Sequence, residues 1–363
     1  RNTDSLDGEA GGVMVSREIM RSTTRGFERY YNPRVGNEVR LDTNVNVLGS
    51  NPAAMNFLSS WKGDINGYPN TYSDDLRDAL ADLYGLEREN FVAGNGSDEV
   101  IDVTFKTFTE CGDGCAVPVP SYVLYDFFVK MNGGRTIEVD LTEEFQLDVD
   151  AFLKTRAKVA IMPSPNNPTG NSFREKDLEE ILSGFDGMVV VDEAYGEYSE
   201  SSMVRRVEEF ENLIVVRTFS KAYAMAGLRV GYAVSNLNVA GMMNCVKIPY
   251  SLNMLSEKAA IAAVKDQEFI RRSVDLVKEQ RPKLDAGLRA LGFETHPSDS
   301  NFILARSPVD HTALVSGLKK KGVMIRDFGS KRRTENCVRI TVGSEELNAL
   351  LLEKAAEVIE ECL

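Results

Sequence analysis

From Asn90 to Val234 short apolar runs alternate with amphipathic segments, and few architectures accept that pattern. The runs are FVAG (91–94), CAVPVP (115–120), TIEVDL (136–141), VAIMPSP (159–165), MVVVDEAY (188–195), LIVVRTFSK (213–221) and LRVGYAV (228–234). Between many of them lie stretches such as DEVIDVTFKTF, YVLYDFFVKM and REKDLEEILSGF, which read as helices. Strands covered on both faces appear as near-continuous apolar runs. The alternation therefore predicts an α/β fold, with a large domain whose mostly parallel sheet lies between helices. In such sheets ligands sit at the carboxyl ends of the strands, and here those ends carry the unusual polar residues.

Outside that stretch the texture differs. The first 30 or so residues are polar and charged, and RYYNPRVGNEVRLDTNVNVLGSNPAA reads as an extended arm. SDDLRDALADLYG opens on Ser73, carries early acids and closes on Gly85, the punctuation of a helix. A long helical region is expected from about Leu255 to Leu291, ending at Gly292. A strand (NFILAR, 301–306), a helix (HTALVSGLKKKG), two strands (VMIRDF, 323–328; CVRITVG, 337–343) and a terminal helix follow, which suggests a smaller α+β domain. The expected division is an N-terminal arm, 1–45, joined to the small domain, then a large ligand-binding domain, 46–254, and a small C-terminal domain, 255–363.

Charge and composition exclude some functions. The 42 basic and 55 acidic residues leave a net charge of -13, which argues against nucleic acid or an anionic membrane as partner. No apolar run approaches the roughly 18 residues that a membrane helix needs. The start, RNTDSLDGEAGG, is too polar for a signal peptide, and its lack of a Met suggests a trimmed beginning. Five cysteines (Cys111, Cys115, Cys245, Cys337, Cys362) are odd in number, scattered and without zinc-ligand spacing. No metal site is expected, and a reducing cytoplasm fits best.

Four segments carry candidate chemistry. Lys221 follows the apolar run Leu213 to Val216, and Arg229 opens the next apolar segment eight residues later. A lysine with its pKa lowered by burial is a Schiff-base nucleophile, whereas a lysine on a surface loop is ordinary. In GNGSDE (94–99) two glycines lead into a helix whose first N–H groups could hold an anion, or Ser97 could simply cap it. The turn SPNNPTG presents Asn166 and Asn167 at the mouth of the sheet, though turn chemistry explains each residue as well. Asp192 ends a buried strand with Tyr195 three residues on; it needs a cation or donors, and a structural ion pair would also satisfy it.

Taken together, SPNNPTG, VVVDEAY and TFSK with Arg229 resemble the fold-type I, class I/II pyridoxal-phosphate aminotransferases, in the expected order over nearly the whole chain. Within that superfamily the combination with VPSYVLY, VMIRDF and CVRITVG is similar to the histidinol-phosphate aminotransferase family. The resemblance implies pyridoxal 5'-phosphate as cofactor, held by Lys221 as covalent anchor and general base. Asp192 would pair with the ring nitrogen, Tyr195 and Asn167 would bond the ring oxygen, and Tyr122 would stack on the ring. Gly96, Ser97 and Asp98 with Thr218, Ser220 and Arg229 would gather the phosphate. Tyr68 would reach the cofactor of a second subunit, which implies a homodimer with shared sites.

The resemblance also implies small-molecule substrates, an amino donor and a 2-oxo acid. Arg339 would bind an acidic group, although the strand end that carries it could instead be solvated. Arg326, with Tyr31 in the arm, would take the phosphate of histidinol phosphate, and Asn167 would also touch substrate. The expected reaction converts histidinol phosphate and 2-oxoglutarate to imidazole-acetol phosphate and glutamate, a step of histidine biosynthesis. Alternatives are an aromatic amino acid aminotransferase and a decarboxylase of a phosphorylated amino acid such as threonine phosphate. A non-catalytic pyridoxal-phosphate sensor is disfavoured. Two departures bear on substrate: Val45 stands where the family has a glutamate, with the proline displaced to Pro52, and Lys331, Arg332 and Arg333 make one loop unusually basic.

Overall fold

The computed structural model describes residues 17–28, 36 and 39–362. Contacts divide the chain into two compact units, 1–34 and 35–363. Of the first, Arg17–Ile19 forms a single 3-10 turn, and the Arg25 guanidinium donates to the Glu18 carbonyl at 2.8 Å.

In the second unit, strand β1 (Val39–Arg40) comes first. The seven strands of a large sheet follow: β2 (Phe91–Gly94), β3 (Gly114–Val119), β4 (Arg135–Asp140), β5 (Val159–Pro163), β6 (Met188–Asp192), β7 (Leu213–Thr218) and β8 (Gly231–Ser235). Their order is β2-β8-β7-β6-β5-β3-β4. Only β8 runs against its neighbours, so the sheet is mostly parallel, as the apolar runs predict. Alternate residues of the central strands feed two separate cores: Ala160, Met162, Val189, Val191, Leu213 and Val215 face one, and Val159, Ile161, Val190, Ile214 and Val216 the other. Each such buried Val or Ile contributes roughly 1.5–3 kcal/mol, which fixes the strand ends in space.

The remaining strands are β9 (Glu294–Thr295), β10 (Phe302–Arg306), β11 (Val323–Met324), β12 (Arg326–Asp327) and β13 (Cys337–Thr341). A four-stranded sheet has the order β12-β13-β10-β9, and Leu284, Leu288, Ile303, Ala305, Val338, Ile340 and Leu351 share a third core with Leu41. Two sequence expectations need correction. The run VMIRDF is two strands in different sheets: β11 pairs in parallel with β1, and β12 pairs antiparallel with β13. The expected single helical region is two helices, Met254–Lys265 and Gln267–Ala290, because the Asp266 side chain caps the second by accepting from the Phe269 N–H at 3.3 Å.

Candidate active site

Pro163, Asp192 and Val216 are in register across β5, β6 and β7. The turn after β5, the carboxylate that ends β6 and the segment after β7 therefore leave the sheet at one edge. Gly94 and Thr218 both pair with Gly231, which brings the turn at Gly96 and the entry of β8 at Arg229 to that same edge. A Cβ on Gly231 would collide with the backbone of Gly96 and Ser97, so only glycine lets the helix Ser97–Phe108 begin so close to the sheet.

Asp192 is buried, and Oδ2 accepts from the Tyr125 hydroxyl at 2.7 Å while Oδ1 accepts from the Ala194 N–H at 3.0 Å. Among the described residues no lysine or arginine pairs with it, so the ion-pair reading does not hold. Burial pushes its carboxyl up to about 6, against the two hydrogen bonds, which pull it down. Lys221 is half-buried: Nζ donates to the Thr43 carbonyl at 3.2 Å and lies 5.4 Å from the centre of the Tyr195 ring. It too has no ion-pair partner among the described residues. The ordinary surface-loop alternative is thus replaced by a tethered amine.

At the glycine turn the cap is Gly96, with φ +85°, and no side chain caps the helix. Ser97 is the first helical residue, so the simple N-cap reading fails, and among the described residues no side chain caps the first turn. Arg229 donates to Asp98 Oδ2 at 2.9 Å and to Ser220 Oγ at 3.3 Å; a Cβ on Gly96 would approach its Nη2 to 2.7 Å. Thr218 Oγ1 accepts from the Ser220 N–H at 3.1 Å. Gly96, Ser97, Asp98, Thr218, Ser220 and Arg229 therefore come together. The Asp98 carboxylate is committed to Arg229, which leaves its backbone N–H as its means of meeting an anion.

Across the edge, Arg339 in β13 is buried, not a solvated strand end. Nη1 donates to Asn167 Oδ1 at 2.6 Å, and Nη2 to the Asp42 carbonyl at 2.7 Å. Tyr195 accepts from Asn44 Nδ2 at 2.9 Å and packs edge-on against Phe302. Arg326 stands directly opposite Arg339 in the β12–β13 register, which places both side chains on one sheet face. Among the described residues the Arg326 guanidinium has no hydrogen bond or ion pair. Tyr122 meets Tyr125 edge-on, with ring centres 5.4 Å apart.

Tyr31 lies outside the described residues. Tyr68 is 83% exposed, against Tyr250. The basic loop is tied down at two points, Arg332 to Glu138 and Asp140 and Arg333 to the Thr142 carbonyl. Pro52 takes the first position of the helix Pro52–Ser60, behind an Asn51 cap. Sequence reasoning missed Tyr125, Asn44 and Asn46, whose Nδ2 donates to the Ala222 carbonyl at 3.0 Å and to Ser273 Oγ at 2.6 Å. The Asn-rich arm was their one visible signal; Tyr125 sits at an ordinary core spacing.

These residues fit pyridoxal phosphate on three observations. Asp192 is a buried carboxylate awaiting a cation, such as a protonated ring nitrogen. The uncapped helix start with Ser220 and Arg229 suits a phosphate. Lys221 supplies an amine beside the Tyr195 ring, held by the Thr43 carbonyl.

Comparison with known proteins agrees with this arrangement. The family model for aminotransferase class I and II matches residues 37–354. The chain is 34% identical over 348 residues to a histidinol-phosphate aminotransferase of Thermoanaerobacter sp. (strain X514), covering 94% of this chain and 99% of the relative. It is 35% identical over 326 residues to one from Methanocella arvoryzae, covering 88% and 90%. In fold it is similar to the crystal structure of histidinol-phosphate aminotransferase from Sinorhizobium meliloti in complex with pyridoxal-5'-phosphate, with a TM-score of 0.87 at 23% identity over 95% of this chain and 99% of that one.

Proposed function

Because the chain belongs to the aminotransferase class I and II family, which works with pyridoxal phosphate, we propose that it moves an amino group from histidinol phosphate to 2-oxoglutarate, a step of histidine biosynthesis. The observation that carries the substrate is the pair Arg326 and Arg339, opposite one another in register, with Arg326 unengaged among the described residues. Two guanidinium groups on one face suit a phosphate monoester in one half-reaction and a dicarboxylate in the other.

When bound, pyridoxal phosphate supplies a ring that takes up the electron pair left by a departing Cα proton. The chain's own residues do the rest. Lys221 would be the covalent anchor and, as a free amine, the base that removes and returns that proton. Asp192 holds positive charge at the ring nitrogen. Tyr195 and Asn167 hold the ring oxygen, each kept in place by Asn44 and Arg339 respectively. Tyr122 covers one ring face, and the helix start at Gly96, Ser97 and Asp98, with Thr218, Ser220 and Arg229, holds the phosphate. In this reading 46–254 is the cofactor-binding domain, and 255–363 with the arm is the smaller one.

The working form is a cytoplasmic homodimer. Exposed Tyr68, Ile65, Ile248 and Tyr250 form the apolar surface that supports a second copy, and five free cysteines suit a reducing compartment. Sedimentation should give twice the 40.2 kDa of the chain. The decisive experiment follows conversion of the bound cofactor by single donors. Histidinol phosphate should react fastest; equal rates with phenylalanine would favour an aromatic aminotransferase. Carbon dioxide release from threonine phosphate without an oxo acid would favour the decarboxylase.

A further inference from the structure

The carboxyl half of the helix Gln267–Ala290, together with the β9–β10 connection, walls a cleft of about 450 Å³. None of its lining residues belongs to the site described above. Lys278, Arg281, Asp285 and Arg289 line it at helical spacings of three and four, which puts them on one face, and His296 and Ser298 add to the wall. Three permanent cations against one carboxylate leave an excess of two positive charges, in a chain whose net charge is -13.

The cations are unevenly satisfied. Arg289 is joined to Asp285 at 2.9 Å, so that carboxylate is spent. Among the described residues Lys278 pairs only with Glu200, 4.0 Å away and 95% exposed. Arg281 has no ion pair among the described residues; Nη1 donates to the Ser300 carbonyl at 2.9 Å, and burial weighs against its charge. The nearby Asp299 carboxylate offsets part of that cost without forming an ion pair, since it accepts from the Ser172 N–H at 2.8 Å, and an anion from outside would stabilise the half-buried guanidinium further. His296 is held below its ordinary range by burial and by the nearby Arg306, so at neutral pH it offers an uncharged hydrogen-bonding ring. The far wall is fixed, because Ser298 Oγ donates to the Phe302 carbonyl at 2.6 Å and the next residue, Asp299, donates its N–H to the Gly170 carbonyl at 2.8 Å. The cleft is therefore formed before anything enters it.

We propose that this cleft binds a small dianionic oxyanion, gripped by Arg281 and Lys278 with His296 as a further hydrogen-bonding partner. Inorganic phosphate is the simplest member of the class and succinate the simplest dicarboxylate. The fork of Arg281 and the point charge of Lys278 match either one.

The chain has two histidines, which makes a local test possible. His296 reports the cleft, and His311, bonded to Asp327 at 2.8 Å, reports the strand that carries Arg326. Imidazole NMR signals of the cofactor-loaded enzyme would be followed during titration with inorganic phosphate and, separately, with succinate. A saturable shift of His296 is expected, with affinity falling about tenfold, equal to 1.4 kcal/mol, in Arg281→Gln. Lys278→Gln, at an exposed position that tolerates change, should weaken binding about threefold. The tighter of the two anions identifies whether the natural ligand bears phosphate or carboxylates. Movement of His311 alone, a His296 signal that neither anion moves, or equal affinity in both variants and wild type would overturn the proposal.

Discussion

Asp192 and Glu193 are neighbours in sequence at the end of one buried strand, and the chain treats them in opposite ways. Glu193 lies 2.7 Å from Arg217, accepts from Ser202 Oγ at 2.7 Å, and Arg217 goes on to Glu197 at 2.9 Å. Asp192, also buried, receives among the described residues only a tyrosine hydroxyl and one backbone N–H. The carboxylate that ties strands together is neutralised from within; Asp192 has no such cation among the described residues, as the cofactor-holding role proposed for it would require. The contrast separates structure from function more clearly than burial, which is the same for both.

The largest effect is expected at Lys221, the proposed anchor. Lys221→Ala should lower kcat/KM by about 10⁴-fold or more, with the melting temperature of the cofactor-free protein little changed, since it removes a base and a nucleophile and no core contact. Retained turnover would sink the reading of the site. Asp192→Asn keeps the shape and both donors nearby, and should cost about 10²–10³-fold in kcat. Arg217→Met tests the other carboxylate: it leaves Glu193 and Glu197 buried without a cation and should lose about 3–5 kcal/mol in denaturant unfolding. If Asp192→Asn proved the more destabilising of the two, the distinction would fail. Arg326→Ala should slow a phosphorylated donor by about 10–100-fold while glutamate suffers far less; equal losses would move phosphate recognition elsewhere.

The smallest effect is one of pH. The Asp192 carboxyl is pushed up to about 6 in the native chain, against about 3.9 when unfolded. The unfolded chain thus releases its proton first. The resulting stabilisation is complete below about pH 4 and is lost as pH rises through about 6, by something on the order of 3 kcal/mol. Melting curves of cofactor-free wild type should lose stability relative to Asp192→Asn between those pH values. Parallel curves would mean that the carboxylate has already found a cation.

The α/β fold was legible because strands covered on both faces leave unbroken apolar runs, and Lys221, Asp192, Asn167 and Gly96 stood out as polar or flexible residues where such runs stop. Tyr125 did not stand out, since a tyrosine in an amphipathic helix satisfies core spacing whether or not its hydroxyl reaches a carboxylate. Asn44 was invisible for another reason: its partner Tyr195 is 151 positions away, and no local pattern encodes that distance. The division of VMIRDF between two sheets likewise depends on which strands flank it. Arg281 and the cleft around it look in sequence like one more charged helix face.

Asn44 and Asp42 meet Thr341 and Arg339 across 297 positions, and the same few arm residues touch Lys221 and Tyr195. A nascent chain has every strand of the large sheet once β8 has emerged, yet the core of that sheet still lacks Leu252, Ala259, Val264 and Phe269, and the pocket lacks Arg339 until β13 has been synthesised. Domains fold as units from the amino end during translation. Chains released early would therefore carry the strands of the sheet without the residues that close its core and its site.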